Sequence, residues 1–108
     1  MTTKDSVIAA TPKPPYYAVI FTSELNADTQ GYGEMADEMV ALAEQQPGFL
    51  GFESAREGLG ITVSYWADLA AIKSWKLNAE HLVAQKLGRD LWYKAFKTRI
   101  ALVERDYS

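Results

Sequence analysis

Groups able to do chemistry are scarce in this chain. It has one histidine and no cysteine in 108 residues, which excludes thiol nucleophiles, thiolate metal sites and a multi-histidine metal cage within one chain. The histidine, His81, lies in WKLNAEHLVAQ, residues 75–85. Asn78 stands one turn before it and Gln85 one turn after, so all three share one side of a helix. An imidazole so placed can exchange a proton with a bound phenol. Trp66, Trp75, Phe52, Tyr65 and Tyr93 are rings of the kind that line an aromatic cavity, and Arg99 can neutralise an anionic ligand. His81, Asn78, Trp66 and Trp75 are therefore the candidate catalytic residues, and Phe52, Tyr65, Tyr93 and Arg99 the candidate substrate contacts; no metal ligand set is expected. Each also has a plainer reading. A lone helical histidine is commonly bonded to a backbone carbonyl or a partner subunit, large rings fill cores, and Arg99 is expected to pair with Glu53 across strands.

These residues need elements to hold them. ATPKPP, residues 10–15, has three prolines that withhold backbone donors and disfavour helix, so residues 1–15 read as an extended arm and 16–108 as one domain. YYAVIFTSEL predicts a strand over about 16–24, closed by a turn in which Asp28 is available as a helix cap. From Tyr32, Met35, Met39 and Leu42 recur at helical spacing to about Gln46; these methionines read as core stripe. Pro47 and Gly48 stop that helix, FLGFESA reads as a strand, REGLG as a connection and ITVSYWA as the returning arm of a hairpin. Asp68 can cap a second helix, whole or broken near Leu77 and Asn78, that reaches a C-cap at Gly88. RDLWYKAF predicts a turn or short helix. KTRIALVER is the last strand, with Thr98, Ile100 and Leu102 on one side and Arg99, Ala101 and Val103 on the other.

The order is β-α-β-β-α-β, the ferredoxin-like split βαβ arrangement: an antiparallel sheet with both helices on one face, an α+β fold. In strand one Tyr17, Val19 and Phe21 alternate with Tyr16, Ala18 and Ile20, so both faces are apolar although helices can cover only one. The other would be an exposed apolar patch, which predicts a homodimer by sheet-to-sheet packing.

With 48% hydrophobic and 23% charged residues the chain has the composition of an ordinary globular domain. Its net charge of −3, with 11 scattered basic residues, offers no block for neutralising phosphates, so no nucleic-acid partner is expected. No apolar run is long enough to span a bilayer, and no secretory-type stretch opens the sequence; no membrane partner and a cytoplasmic location are expected. EGLG and GYG lack the G-x-G-x-x-G pattern between strand and helix and read as a hairpin turn and a weak helix start.

The layout, together with PGFLGFESAR at 47–56 and GITVSYWADLAAIKSW at 60–75, resembles the antibiotic biosynthesis monooxygenase-like family of dimeric α+β barrels, over about residues 16–105. The resemblance implies the barrel dimer but spans several activities. Haem-degrading members pair a strand-one asparagine with a helix-two tryptophan and a histidine about ten residues later. Trp75 matches the tryptophan, but Gln85 holds the ligand position, and Thr22 and Ser23 stand where the asparagine would be. Quinone-forming members carry a pocket tryptophan at the end of strand three, matched by Trp66; Ser64 falls near their asparagine and Ile72 near their tyrosine. These enzymes use no metal or flavin. The substrate's own phenolate supplies the electron to oxygen, and the protein orients the ring and stabilises the anion.

The first reading is thus a cofactor-independent monooxygenase acting on a small aromatic, phenolic or polyketide-like substrate between sheet and helices. The second is a non-catalytic dimer that binds a hydrophobic small molecule or serves stress tolerance, with a haem-binding or haem-degrading protein as a further alternative.

Overall fold

The computed structural model describes residues 7–85 and 91–108. In chain order the elements are β1 (Tyr16–Leu25), α1 (Tyr32–Glu44), β2 (Phe49–Glu57), β3 (Leu59–Trp66), α2 (Leu69–Gln85) and β4 (Tyr93–Val103). The four strands form one antiparallel sheet in the order β2-β3-β1-β4, the ferredoxin-like arrangement expected from the sequence.

Cross-strand register sorts the side chains into two sets, because directly paired residues share a face. Tyr17 pairs with both Trp66 and Leu102, Val19 with Ser64 and Ile100, and Phe21 with Thr62 and Thr98; on β2, Phe52 pairs with Ser64 and Arg56 with Gly60. This is the helix side, since Trp66 stacks on Trp75 of α2 and Phe21 meets Tyr93, which packs on Tyr32 of α1. Tyr16, Ala18, Ile20, Glu53, Val63, Tyr65 and Arg99 belong to the outer set.

Met35 and Ala43 are the buried positions of α1, and Ile72 is buried on α2. The helices meet each other and lie chiefly over β2 and β3. On the helix side of β4 this leaves Phe96, Ile100 and Leu102 about half exposed. The arm from Val7 to Pro15 runs against the outer side, where Ala9 N–H donates to Glu53 Oε2 at 3.0 Å and Thr11 Oγ1 to the Tyr16 hydroxyl at 2.9 Å.

Several boundaries differ from expectation for local reasons. Asp28 does not cap α1: its Oδ1 accepts from Gln30 N–H at 3.2 Å, and the N-cap is Gly31, at φ 85° with no side-chain cap. Only glycine adopts that conformation freely, so it is backbone freedom that turns the chain into the helix. The β2–β3 connection is shorter than REGLG, because Gly58, at φ 79°, reverses the chain between the paired residues Glu57 and Leu59. Arg56 and Gly60 are therefore strand residues. Helix α2 runs unbroken through Leu77 and Asn78; Gly88, its expected C-cap, lies outside the described residues. Strand β4 begins at Tyr93 rather than in KTRIALVER, drawn into the sheet by pairing along the whole of β1.

Asp68 does cap α2, its Oδ1 accepting from Ala71 N–H at 2.7 Å. Asp68→Ala is expected to cost about 1 kcal/mol, and Asp68→Asn almost nothing. Urea midpoints compare the two; equal losses would remove the cap from the account.

Candidate functional site

The helix side of the sheet ends in an aromatic cluster at each extreme. At one end Trp66, the last residue of β3, is fully buried. Its ring stacks on Trp75 with centroids 5.6 Å apart and meets Phe49 edge-on at 5.3 Å, and its indole N–H donates to Ser64 Oγ at 2.9 Å. The polar atom of Trp66 is thus satisfied within its own strand. Asn78, exposed on α2, donates to Ser74 O at 3.1 Å and to Gln46 Oε1 at 3.4 Å, tying α2 to the end of α1. His81 lies one turn further along α2 and is also exposed; the Gln85 side chain lies outside the described residues.

At the other end, about 20 Å away along β3 at roughly 3.3 Å per residue, Phe21, Tyr93, Phe96, Tyr32 and Trp92 pack with centroid separations of 5.5–5.9 Å. Trp92 is buried and donates its indole N–H to Gln30 O at 2.9 Å. Burial pushes the Tyr93 phenol well above its ordinary range, and the neighbouring Tyr32 adds to this by charge and hydrogen bonding while Arg56 partly opposes it. Arg56 enters this cluster from β2. Its Nη1 donates to Ser23 O at 3.2 Å and its Nη2 to Ser23 Oγ at 2.5 Å, and its guanidinium lies 5.9 Å from the centre of the Tyr32 ring. Between the two ends the helix side carries Phe52 and the hydroxyls of Ser54, Thr62, Ser64 and Thr98.

Two substrate-contact candidates lie on the opposite face. Tyr65 donates to Glu53 Oε1 at 2.6 Å and meets Tyr16 edge-on, while Tyr16 donates to Asp106 Oδ2 at 2.7 Å. Arg99, exposed on β4, cannot pair with Glu53: β4 and β2 are the two edges of the sheet, and the Glu53 carboxylate is engaged by Tyr65 and Ala9. The eight candidates therefore fall into separate groups. Trp66 and Trp75 touch, with Phe52 on the same side; Asn78 and His81 follow along α2; Tyr93 joins the far cluster; Tyr65 and Arg99 lie outside. Sequence reasoning missed Arg56 and Ser23. The signal was present in the alternation Phe52, Ser54, Arg56 opposite a glycine, but treating REGLG as a loop removed Arg56 from the pattern.

Among the described residues, an open cleft of about 180 Å³ is lined by Thr22, Ser23, Leu59, Phe96 and Lys97, and another of about 520 Å³ by Val7, Ile8, Phe52, Glu53 and Ser54. Among the described residues no three His, Asp or Glu side chains gather in a way that could hold a metal ion, and no helix is long and apolar enough to cross a membrane.

The Tyr65 phenol is pushed up to about 12 by burial first, then by its bond to Glu53 and the charge of that carboxylate. The folded state therefore holds this proton more tightly than the unfolded chain, whose value is near 10.0. The resulting stability is complete below pH 10 and is lost as pH rises through about 12. Tyr65→Phe should flatten the alkaline fall in the denaturation midpoint; a fall as steep as the parent's would show that Tyr65 does not cause it.

A sequence model described as antibiotic biosynthesis monooxygenase matches residues 16–87. The uncharacterized protein YqjZ of Bacillus subtilis (strain 168) is 52% identical over 100 residues, covering 91% of this chain and 88% of YqjZ. Among solved structures, SnoaB, a cofactor-independent oxygenase from Streptomyces nogalater, superposes with a TM-score of 0.65 at 14% identity, covering 88% of this chain and 97% of SnoaB. A variant of MhuD with two manganese protoporphyrin IX molecules per active site superposes with a TM-score of 0.61 at 23% identity, covering 85% of this chain and 98% of MhuD. At these identities the structural likenesses show the shared fold.

Proposed function

Because the chain belongs to the antibiotic biosynthesis monooxygenase family, we propose that it is a cytoplasmic, cofactor-independent monooxygenase of small phenolic substrates, bound between the sheet and its helices. One observation carries this reading: the helix side of the sheet is aromatic at both ends and hydroxyl-lined between them, a surface suited to a flat ring with polar substituents. A phenol with an open ring position would lose its proton and reduce oxygen with its own electrons. One oxygen atom enters the ring and the other leaves as water, so a phenol and O₂ become a quinone and H₂O with all four electrons drawn from the substrate. The protein's part is to orient the ring and stabilise the anion. Trp75, Asn78 and His81 along α2, with Phe52 and Tyr93 on the helix side, are the residues to substitute first, and Trp66 supports them from within the core.

Oxygen uptake with a panel of phenols and hydroquinones tests the reading. Uptake equal to buffer across the panel would overturn it, and uptake unchanged in His81→Ala would remove the imidazole as the proton acceptor. The haem alternative gains no support from the residues in place: the one imidazole is exposed on α2, and Ser23, in the segment where the haem-degrading pattern wants asparagine, is occupied by Arg56.

The proposed assembly is a dimer through the outer face of the sheet, where Leu59 and Ile61 are 50% and 42% exposed beside half-buried Ile20 and Val63. Light scattering at micromolar concentration should give twice the 12.0 kDa of one chain; a monomer mass would contradict it.

A further inference from the structure

Arg56 is placed unlike the other cations of the sheet. Its guanidinium lies in the notch left by Gly60 on the paired strand, where a Cβ would overlap it. Both nitrogens that bond do so to the buried Ser23, a neutral residue. Among the described residues no carboxylate forms an ion pair with it. The register gives the reason: Glu24, Glu53 and Glu57, the acidic residues of the adjoining strands, all belong to the outer set. The charge is thus fixed on the helix side with the strand carboxylates across the sheet, and Arg56 is an exposed residue.

The Tyr32 ring lies against that charge and packs on Tyr93, which meets Phe21 and Phe96; Phe96, paired with Ser23 between β1 and β4, is 43% exposed. A guanidinium so held presents donors in a plane suited to a carboxylate or phenolate oxygen, and the exposed ring beside it offers a surface for stacking. We infer that Arg56, with Tyr32 and Tyr93, receives the anionic oxygen of an aromatic ligand whose ring lies against Phe96. The inference rests on the reading that the helix side takes an aromatic substrate, and narrows it to aromatic acids and ionised phenols.

The test compares 2-naphthoate with its uncharged analogue 2-naphthamide by calorimetric titration. The parent should bind the anion about tenfold more tightly or better. Arg56→Met should bring the two affinities together, and Arg56→Lys should keep part of the preference, because the ammonium retains charge but not the planar fork. Gly60→Ala, whose methyl displaces the guanidinium without removing it, should also reduce the preference and serves if Arg56→Met does not fold. A second probe is 4-nitrophenol, whose bound form should ionise about one pH unit lower in the parent than in Arg56→Met. No preference in the parent, or a preference unchanged by the substitutions, would overturn the inference. Anion preference without any phenol oxidation would sink the oxygenase reading alone, and oxidation indifferent to Arg56 would sink this one alone.

Discussion

Trp66→Ala is expected to remove about 3–5 kcal/mol of stability, a large share of the 5–15 kcal/mol typical of a domain. The ring has no exposed surface and is enclosed by Phe49 and Trp75, so its loss leaves a cavity as well as forfeiting buried area. At roughly 4–8 °C per kcal/mol for a domain of about 100 residues, the melting temperature should fall by about 12 °C or more. Trp66→Phe keeps the ring contacts but loses the N–H bond to Ser64 and should cost about 1–2 kcal/mol. Trp75→Ala, at a half-buried position, should cost less than Trp66→Ala. Differential scanning calorimetry of the three variants checks the order. If Trp66→Ala cost less than 1 kcal/mol, Trp66 would be a pocket wall with free space beside it rather than a core ring.

Gly48→Ala should destabilise the protein by about 2–4 kcal/mol, for two separable reasons. The backbone is at φ 87°, where a non-glycine residue costs of order 1 kcal/mol. The added Cβ would also lie 2.7 Å from the Ala71 Cβ and 3.8 Å from the Ala67 Cβ, which forces the first turn of α2 away from the strand end. That turn is fixed from the other side by Ala67 N–H donating to Gly48 O at 2.8 Å. Gly58→Ala isolates the backbone part, because Gly58 has a similar φ of 79° but no atom within 4 Å of the place its new methyl would take. Equal denaturant midpoints for the two variants would show that the overlap with Ala71 relaxes without cost.

Much of the frame was readable residue by residue. The helical recurrence from Tyr32, the Asp68 cap and the alternation of β1 and of Thr98, Ile100 and Leu102 are patterns that repeat within a few residues, so local spacing was enough to find them. The candidate site was less readable. Tyr65 and Arg99 were grouped with Trp66 and Tyr93 because all are large or charged residues on strands, yet one residue of register separates the helix side from the outer side. Arg56 escaped notice because whether a hairpin-end residue belongs to strand or loop depends on how tightly the turn closes, and here Gly58 closes it between Glu57 and Leu59.

The amino-acid order alone determined the succession of elements, the single imidazole, the absence of thiols and a sheet apolar on both sides. Only the tertiary structure decided which side the helices cover, and with it that Trp66 is core, that Tyr65 bonds Glu53 on the outer face, and that Arg56 stands apart from every neighbouring strand carboxylate. The reason is physical. A two-residue period states that a strand has two faces, and when both are apolar it carries no preference between them; the choice is made by crossover connections and cross-strand pairing, which act over distances no local pattern records.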